Sequence, residues 1–263
     1  MQQQEIGSAG VPSGWAAMRS RQHRAAAVTL ALALAGWAFL VWLSVRMDHP
    51  LAELMMPDSA RWSTASWVAI WGMWALMMAA MMLPSALPMV LSFVQLAGRQ
   101  GEPARGAAFV AAYLMVWFVF SVAATAAQWA LQALGWIDQM IASSSPALNA
   151  LLLLLAGAYQ FSPLKRLCLA GCRSPLAFLL GEWRAGLSGA FSMGWRHGQL
   201  CVGCCWALMA LLFVGGVMNL AWIAALSVAV AIEKVAPLGE RLGFALGGVL
   251  LVLGGVRLLA LAM

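Results

Sequence analysis

Trp71-Gly-Met73-Trp-Ala-Leu-Met77-Met78-Ala-Ala-Met81-Met82-Leu-Pro84-Ser-Ala-Leu-Pro88-Met89 lies inside an apolar run long enough to cross a bilayer. At 3.6 residues per turn, Met73, Met77 and Met81 stack at i, i+4 and i+8, and Met78 and Met82 form a second row beside them. The result is one broad sulfur-rich helix face. From Met73 to Met89 that face covers about 24 Å at about 1.5 Å per residue, most of a hydrocarbon core. Pro84 and Pro88 each remove a backbone donor and loosen the helix where a kink is expected. Thioethers carry no charge and prefer soft ions such as Cu(I). Such a face can hold a soft cation in a membrane without buried carboxylates. Methionine is also an adaptable core filler, and a stripe at helical spacing is what plain packing would give.

The rest of the chain reads the same way. Of 263 residues, 63% are hydrophobic and only 9% charged, with mean hydropathy +0.86; soluble domains have about 25% charged residues. The apolar runs are continuous rather than alternating, which excludes a β-barrel. We expect an all-α, polytopic transmembrane helical bundle of about seven spans, near residues 26–45, 66–96, 106–134, 147–163, 188–214, 218–235 and 240–261. These form a single domain, 26–263, after a polar, basic cytoplasmic tail, 1–25. The first apolar run is full length and has no convincing small-x-small site before a hydrophilic mature domain, so no cleavable signal peptide is expected. The segment 164–185 is the longest internal polar stretch, with a short interfacial helix expected within Pro175–Leu187.

The net charge of +6 could suggest nucleic acid, but the basic residues sit in short loops between spans, which marks topology instead. With the N-terminus inside, the inner segments collect Arg19, Arg21, Arg24, Arg99, Arg105, Lys165, Arg166, Arg173, Arg184, Lys234 and Arg241. The outer segments collect only Arg46 and Arg61. This bias orients a multi-pass membrane protein with its N-terminus inside, and no nucleic-acid partner is expected. Gly194/Gly198 and Gly243/Gly247 make GxxxG pairs suited to close helix packing, with homo-oligomerisation as the other use.

All five cysteines lie within two short clusters: Cys168 and Cys172 after span four, and Cys201, Cys204 and Cys205 in span five. An odd number argues against a disulfide framework, and on this topology both clusters face the reducing cytoplasm. The CxxxC and CxxC spacings each let two thiolates reach one ion, and His197 lies four residues before Cys201, on the same helix face. Thiolates plus an imidazole suit Zn(II) or Cu(I), and the thioethers tilt the choice to Cu(I), with zinc as the alternative. Buried cysteines can equally act as small hydrophobes, which suits Cys205 best. In the outer loop, Met47, His49, Met55 and Met56 are either a capture site or interfacial residues. Arg257 in span seven needs a partner or an outward, snorkelling pose. Gly186-Leu-Ser188-Gly189 looks like the GxSG of intramembrane serine proteases. That reading is rejected because the only helical histidine, His197, follows on the same segment.

Three motifs stand in order: Trp71-Gly-Met73-x3-Met77-Met78-x2-Met81-Met82-Leu-Pro84-Ser85, Tyr159-Gln160-x2-Pro163-Leu-Lys165-x2-Cys168-Leu-x2-Cys172-Arg173-x-Pro175, and Gly194-x3-Gly198-x2-Cys201-x-Gly203-Cys204-Cys205-Trp206-x2-Met209. Together they make the chain, over about residues 60–260, resemble a bacterial multi-pass family described as predicted metal-binding integral membrane proteins. Some of its members are thought to act as copper chaperones for copper enzymes. The resemblance implies metal binding at the methionine and cysteine motifs. The expectation is therefore a membrane copper chaperone or carrier, rather than an enzyme, with the bilayer and a copper enzyme or metallochaperone acceptor as partners. No nucleotide-binding loop is present, so ATP coupling within the chain is not expected. Two other readings stand beside it. One is a membrane thiol–disulfide oxidoreductase using Cys168/Cys172 and Cys201/Cys204. The other is an assembly subunit whose sulfurs only pack.

Overall fold

The computed structural model describes residues 13–57, 59–98 and 104–262, with side chains from residue 18 onward. The expectations for tail residues 1–12 and for Asp58 and Arg99 lie outside these. The described residues are helical: α1 (Ser13–Val45), α2 (Pro50–Met55), α3 (Thr64–Gly98), α4 (Ala104–Ala133), α5 (Pro146–Gln160), α6 (Pro163–Arg173), α7 (Pro175–Glu182), α8 (Gly186–Ala210), α9 (Leu212–Gly215), α10 (Leu220–Val235) and α11 (Gly239–Ala262). Among them no strand forms, only an isolated bridge between Ile137 and Ser143 in the tight α4–α5 connection.

A helix occupies each of the seven expected positions. Five are long and apolar enough to cross a membrane: Met18–Val45, Thr64–Gly98, Ala104–Ala133, Gly186–Gly215 and Gly239–Ala262. This is consistent with a multi-pass membrane protein. The other two are shorter, 15 residues in α5 and 16 in α10. The α1 helix begins at Ser13, within the segment expected to be tail. Val249, Val252 and Val256 of α11 are exposed, as a face meeting lipid would be.

Span four does not end in a loop. After Gln160 the chain turns, Ser162 Oγ accepts from Lys165 N at 3.1 Å, and Pro163 takes the first position of a new helix, where its missing donor costs nothing. The α6 axis is bent 64° from that of α5. Ser145–Pro146 starts α5 by the same device, with Ser145 Oγ accepting from Leu148 N. The polar stretch 164–185 is therefore largely two helices, and the expected short helix is α7.

The central helix is α3, which touches α1, α2, α4, α7 and α10. Its run stays helical through Pro84 and Pro88. Glycines permit the closest approaches. A Cβ at Gly194 would collide with the backbone of Phe109 on α4, and one at Gly198 would lie 2.8 Å from Val116 Cβ. One at Gly157 on α5 would lie 2.9 Å from Gly247 O on α11. Both GxxxG pairs thus serve packing.

Three charges counted above as inner-loop cations are buried instead: Arg105, Lys165 and Lys234. They lie on α4, α6 and α10 respectively, and each has polar contacts where it is buried. Arg105 donates to Arg184 O at 2.8 Å and lies over the Trp183 ring. Lys165 Nζ pairs with Glu233 Oε2 at 2.6 Å, and Gln160 Nε2 donates to Glu233 Oε1 at 2.9 Å. Arg173 adds bonds to the carbonyls of Glu233, Ala236 and Pro237. This network ties α5 and α6 to the end of α10. Arg196 and Arg257, by contrast, are exposed, in keeping with an outward, snorkelling pose.

Two stability measurements follow from this packing. Gly194→Val should cost about 3 kcal/mol, the upper end of overpacking penalties, while Gly72→Ala, which meets nothing within 4 Å, should be neutral or slightly stabilising. Glu233→Ala should lose about 3–5 kcal/mol, as expected when a buried pair is broken on one side. The double variant Lys165→Met/Glu233→Met should recover most of that loss. Denaturant titration of the detergent-purified protein reads all four.

Candidate metal centre

The methionine face points inward. Met73, Met77, Met78, Met81 and Met82 are all 0–1% exposed and belong to the main core. Their sulfurs therefore face neighbouring helices rather than lipid. The α3 carbonyls here also take bonds from other helices: Tyr113 Oη donates to Met82 O at 3.3 Å and Ser227 Oγ to Met81 O at 3.3 Å. Pro84 and Pro88 cannot donate to the carbonyls four residues back, so the ladder is thinned over this stretch.

The two cysteine clusters meet across α6 and α8. Cys168 and Cys172 are one turn apart on α6, and Cys172 Sγ lies 4.0 Å from Cys204 Sγ on α8. Cys168 packs on Gly203, where a Cβ would come within 2.6 Å of its sulfur. Tyr159 Oη donates to Gly203 O, closing α5 onto the same spot. Cys204 and Cys205 turn their thiols back to Cys201 O, at 3.1 and 3.0 Å. All five thiols are free, with Cys201, Cys204 and Cys205 buried and Cys168 and Cys172 half-buried.

The link between methionines and cysteines is a residue that sequence reasoning counted only as an inner cation at the end of the span 218–235. Lys234, 7% exposed near the end of α10, sets its ammonium 2.9 Å from Cys201 Sγ, 3.8 Å from Met82 Sδ and 3.2 Å from Ser85 Oγ. Tyr113 Oη also lies 3.1 Å from Cys201 Sγ. One thiol and one thioether, from α8 and α3, thus lie around one small cation. The expected span 218–235 already placed Lys234 in the last turn of an apolar helix, with Pro237 marking its end; what the sequence did not carry is which groups surround the ammonium.

His197 is placed differently. Its ring stacks on Phe109 and Tyr113, with Phe178 against its edge, and its buried Nδ1 has no hydrogen-bond partner. The Tyr113 ring is its route to Cys201. Among the described residues, no three His, Cys, Asp or Glu side chains are arranged to hold a metal ion. What converges is sulfur in pairs, supplemented by thioethers. Between α1 and α3, Met55 and Met56 are buried, Met47 is exposed, and His49 Nδ1 is used as the cap of α2, accepting from Leu51 N at 3.1 Å.

Gln128 Oε1 accepts from Trp74 Nε1 at 2.7 Å, tying α4 to the methionine helix α3, and Gln160 Nε2 donates to Glu233, tying α5 to α10.

No curated protein matches the chain, and neither does any solved structure. A family model does. Residues 71–257, which run from the start of the methionine motif through the cysteine helices and nearly to the end of α11, match the PpoB2 copper chaperone model. That match covers well over half of the 263 residues, and the chain belongs to the PpoB2 copper chaperone family.

Proposed function

We propose that this copper chaperone sits in the inner membrane of a bacterium, N-terminus inside, and carries Cu(I) on sulfur within its helical domain. Cys201 and Met82 are the central donors. Cys172 and Cys204 stand beside them as a thiol pair, with Cys168 and Cys205 flanking. Met73, Met77, Met78 and Met81 form a row of weaker, exchangeable thioether donors along α3. His197, whose Nδ1 is unused, is the added nitrogen donor. A copper enzyme or a metallochaperone takes the ion onward.

One observation carries this reading. A cation, the Lys234 ammonium, already rests against sulfurs from two different helices, Cys201 Sγ and Met82 Sδ. Sulfur atoms from separate helices therefore converge around one small positive group. Thioether and thiolate donors are soft, which favours Cu(I) over zinc, whose structural sites take four N or S ligands in a tetrahedron. The chemistry asked of the protein is ligand exchange. A thioether gives the ion up readily and a thiolate holds it, so a graded set moves it from one to the other without a change of oxidation state. The oxidoreductase alternative leaves the buried thioether row without work, and the family match lends it no support.

Copper analysis of the protein purified under reducing conditions tests the centre. The wild type should bind Cu(I), and Cys172→Ser/Cys201→Ser should weaken that binding at least tenfold in competition with a colorimetric chelator. Equal copper in the two would end the thiolate assignment. Met82→Leu, which keeps volume at the cost of the sulfur, should remain as stable as wild type within about 1.5 kcal/mol. It should also lose copper delivery to an acceptor enzyme. Unchanged delivery by that variant would reduce the methionine face to packing.

A further inference from the structure

Away from the sulfurs, a groove of about 500 Å³ runs between α1 and α4, with α3 as its floor. It shares no residue with the proposed metal centre. Arg21, Arg24, Val28 and Leu32 recur at three- and four-residue intervals along α1, so they stand on one side of that helix. Val94 of α3 lies on the floor, and Val110 and Leu114, one turn apart, form the wall on α4. Gly106 lets α4 come close to the floor, since a Cβ there would already lie 3.0 Å from Val94 Cγ2.

The groove is charged at one end and apolar along its length. Apart from the two arginines and Thr29, no side chain lining it is polar. Val28 and Leu32 are exposed, an apolar surface that neighbouring helices leave uncovered. At the charged end, Arg21 Nη1 donates to Gly98 O at 3.1 Å and Arg24 Nε to Ser20 O at 3.4 Å. A guanidinium has five N–H donors, so each arginine keeps donors to spare. Among the described residues neither meets a carboxylate. Two unneutralised cations at the mouth of an apolar slot fit a ligand with an anionic head and a hydrocarbon tail.

The length of the slot points to the source of that ligand. From Arg21 to Leu32 it follows α1 for about 16 Å at ~1.5 Å per residue, roughly half of a ~30 Å hydrocarbon core. The arginines stand where the apolar run of α1 begins, at the level expected of lipid headgroups. A chain laid in the groove from that level stays within one leaflet. Inorganic phosphate would use the arginines and leave the slot empty.

We propose that this groove binds one anionic phospholipid from the leaflet on the N-terminal side, its phosphate on Arg21 and Arg24 and one acyl chain between α1 and α4. Guanidinium groups take phosphate through paired N–H bonds. The uncompensated positive charge selects lipids with net negative heads over zwitterionic ones. The bound lipid also bridges α1 and α4 across a gap between two helices that both pack on α3. The site needs the membrane placement proposed above and is independent of the sulfur centre.

Native mass spectrometry of the full-length protein in detergent, titrated with dioleoylphosphatidylglycerol or dioleoylphosphatidylethanolamine, tests it. The tails are identical, so the ratio of affinities for the first lipid bound reports the head alone. Wild type should prefer the phosphatidylglycerol by at least about tenfold. Arg21→Gln/Arg24→Gln should bring the ratio below threefold. If that variant does not fold, Arg24→Gln, which gives up only a bond within its own helix, should at least halve it. Ala111→Phe, which fills the groove from an exposed position on α4, should weaken both lipids at least fivefold. Equal affinities in wild type, or an unshifted ratio in the arginine variants, overturn the headgroup assignment. Wild-type binding by Ala111→Phe overturns the seating of the chain, and displacement of the lipid by excess inorganic phosphate makes the site one for a free anion. Cu(I) binding should be unchanged in all three variants, so failure of the lipid site and failure of the sulfur centre are read separately. Release of the protein from cells without detergent would remove the membrane placement itself.

Discussion

The close approach of α8 to its neighbours determines most of what this molecule can do. Glycine stands on α8 wherever another helix comes near. Gly194 and Gly198 face Phe109, Tyr113 and Val116 of α4, and Gly203 faces Cys168 of α6. Helices in lipid gain little from hydrophobic burial against one another, so contact depends on shape and small residues. Because α4 can lie against Gly198, the Tyr113 hydroxyl reaches Cys201; because α6 can lie against Gly203, Cys172 reaches Cys204. The sulfur distances follow from backbone proximity, and backbone proximity follows from missing side chains.

The second constraint is charge. Successive residues on α10 project about 100° apart, and the chain uses that angle to send Glu233 and Lys234 to different neighbourhoods. Glu233 joins Lys165, Gln160 and Tyr159's helix in a neutral, hydrogen-bonded lattice. Lys234 goes to sulfur. A buried ion pair of the first kind contributes little net stability over an apolar substitute, but it holds elements in one arrangement.

Much of this was legible from residues alone, and the reasons are physical. A methionine repeat at 3.6-residue spacing must share a face, and the face proved to be the buried one. The three motifs were in the order that the PpoB2 copper chaperone match later covered. The helical positions followed from continuous apolar runs. Two things were obscured. Residues 164–173 looked polar, because α6 carries Lys165, Arg166 and Arg173, yet Ser162-Pro163 is a helix start and Cys168 and Cys172 share one of its faces. Lys234 looked like a headgroup cation because charge at the end of an apolar run normally faces the membrane surface. Only the three-dimensional meeting of α3, α8 and α10 shows that its surroundings are sulfur. His197 had the right spacing along α8, but spacing says nothing of the aromatic rings that other helices bring around it.

The elbow between α5 and α6 gives the thiols of the first cluster a common mechanical fate. Cys168 and Cys172 ride on one rigid rod of 11 residues, swung 64° from the preceding rod at Phe161-Ser162 and strutted to α10 through Lys165 and Arg173. Any swing about that joint leaves the gap between these two sulfurs unchanged while altering both of their distances to α8 in concert. The two sulfurs are thus fixed to one body, and the Lys165–Glu233 ion pair holds that body against α10.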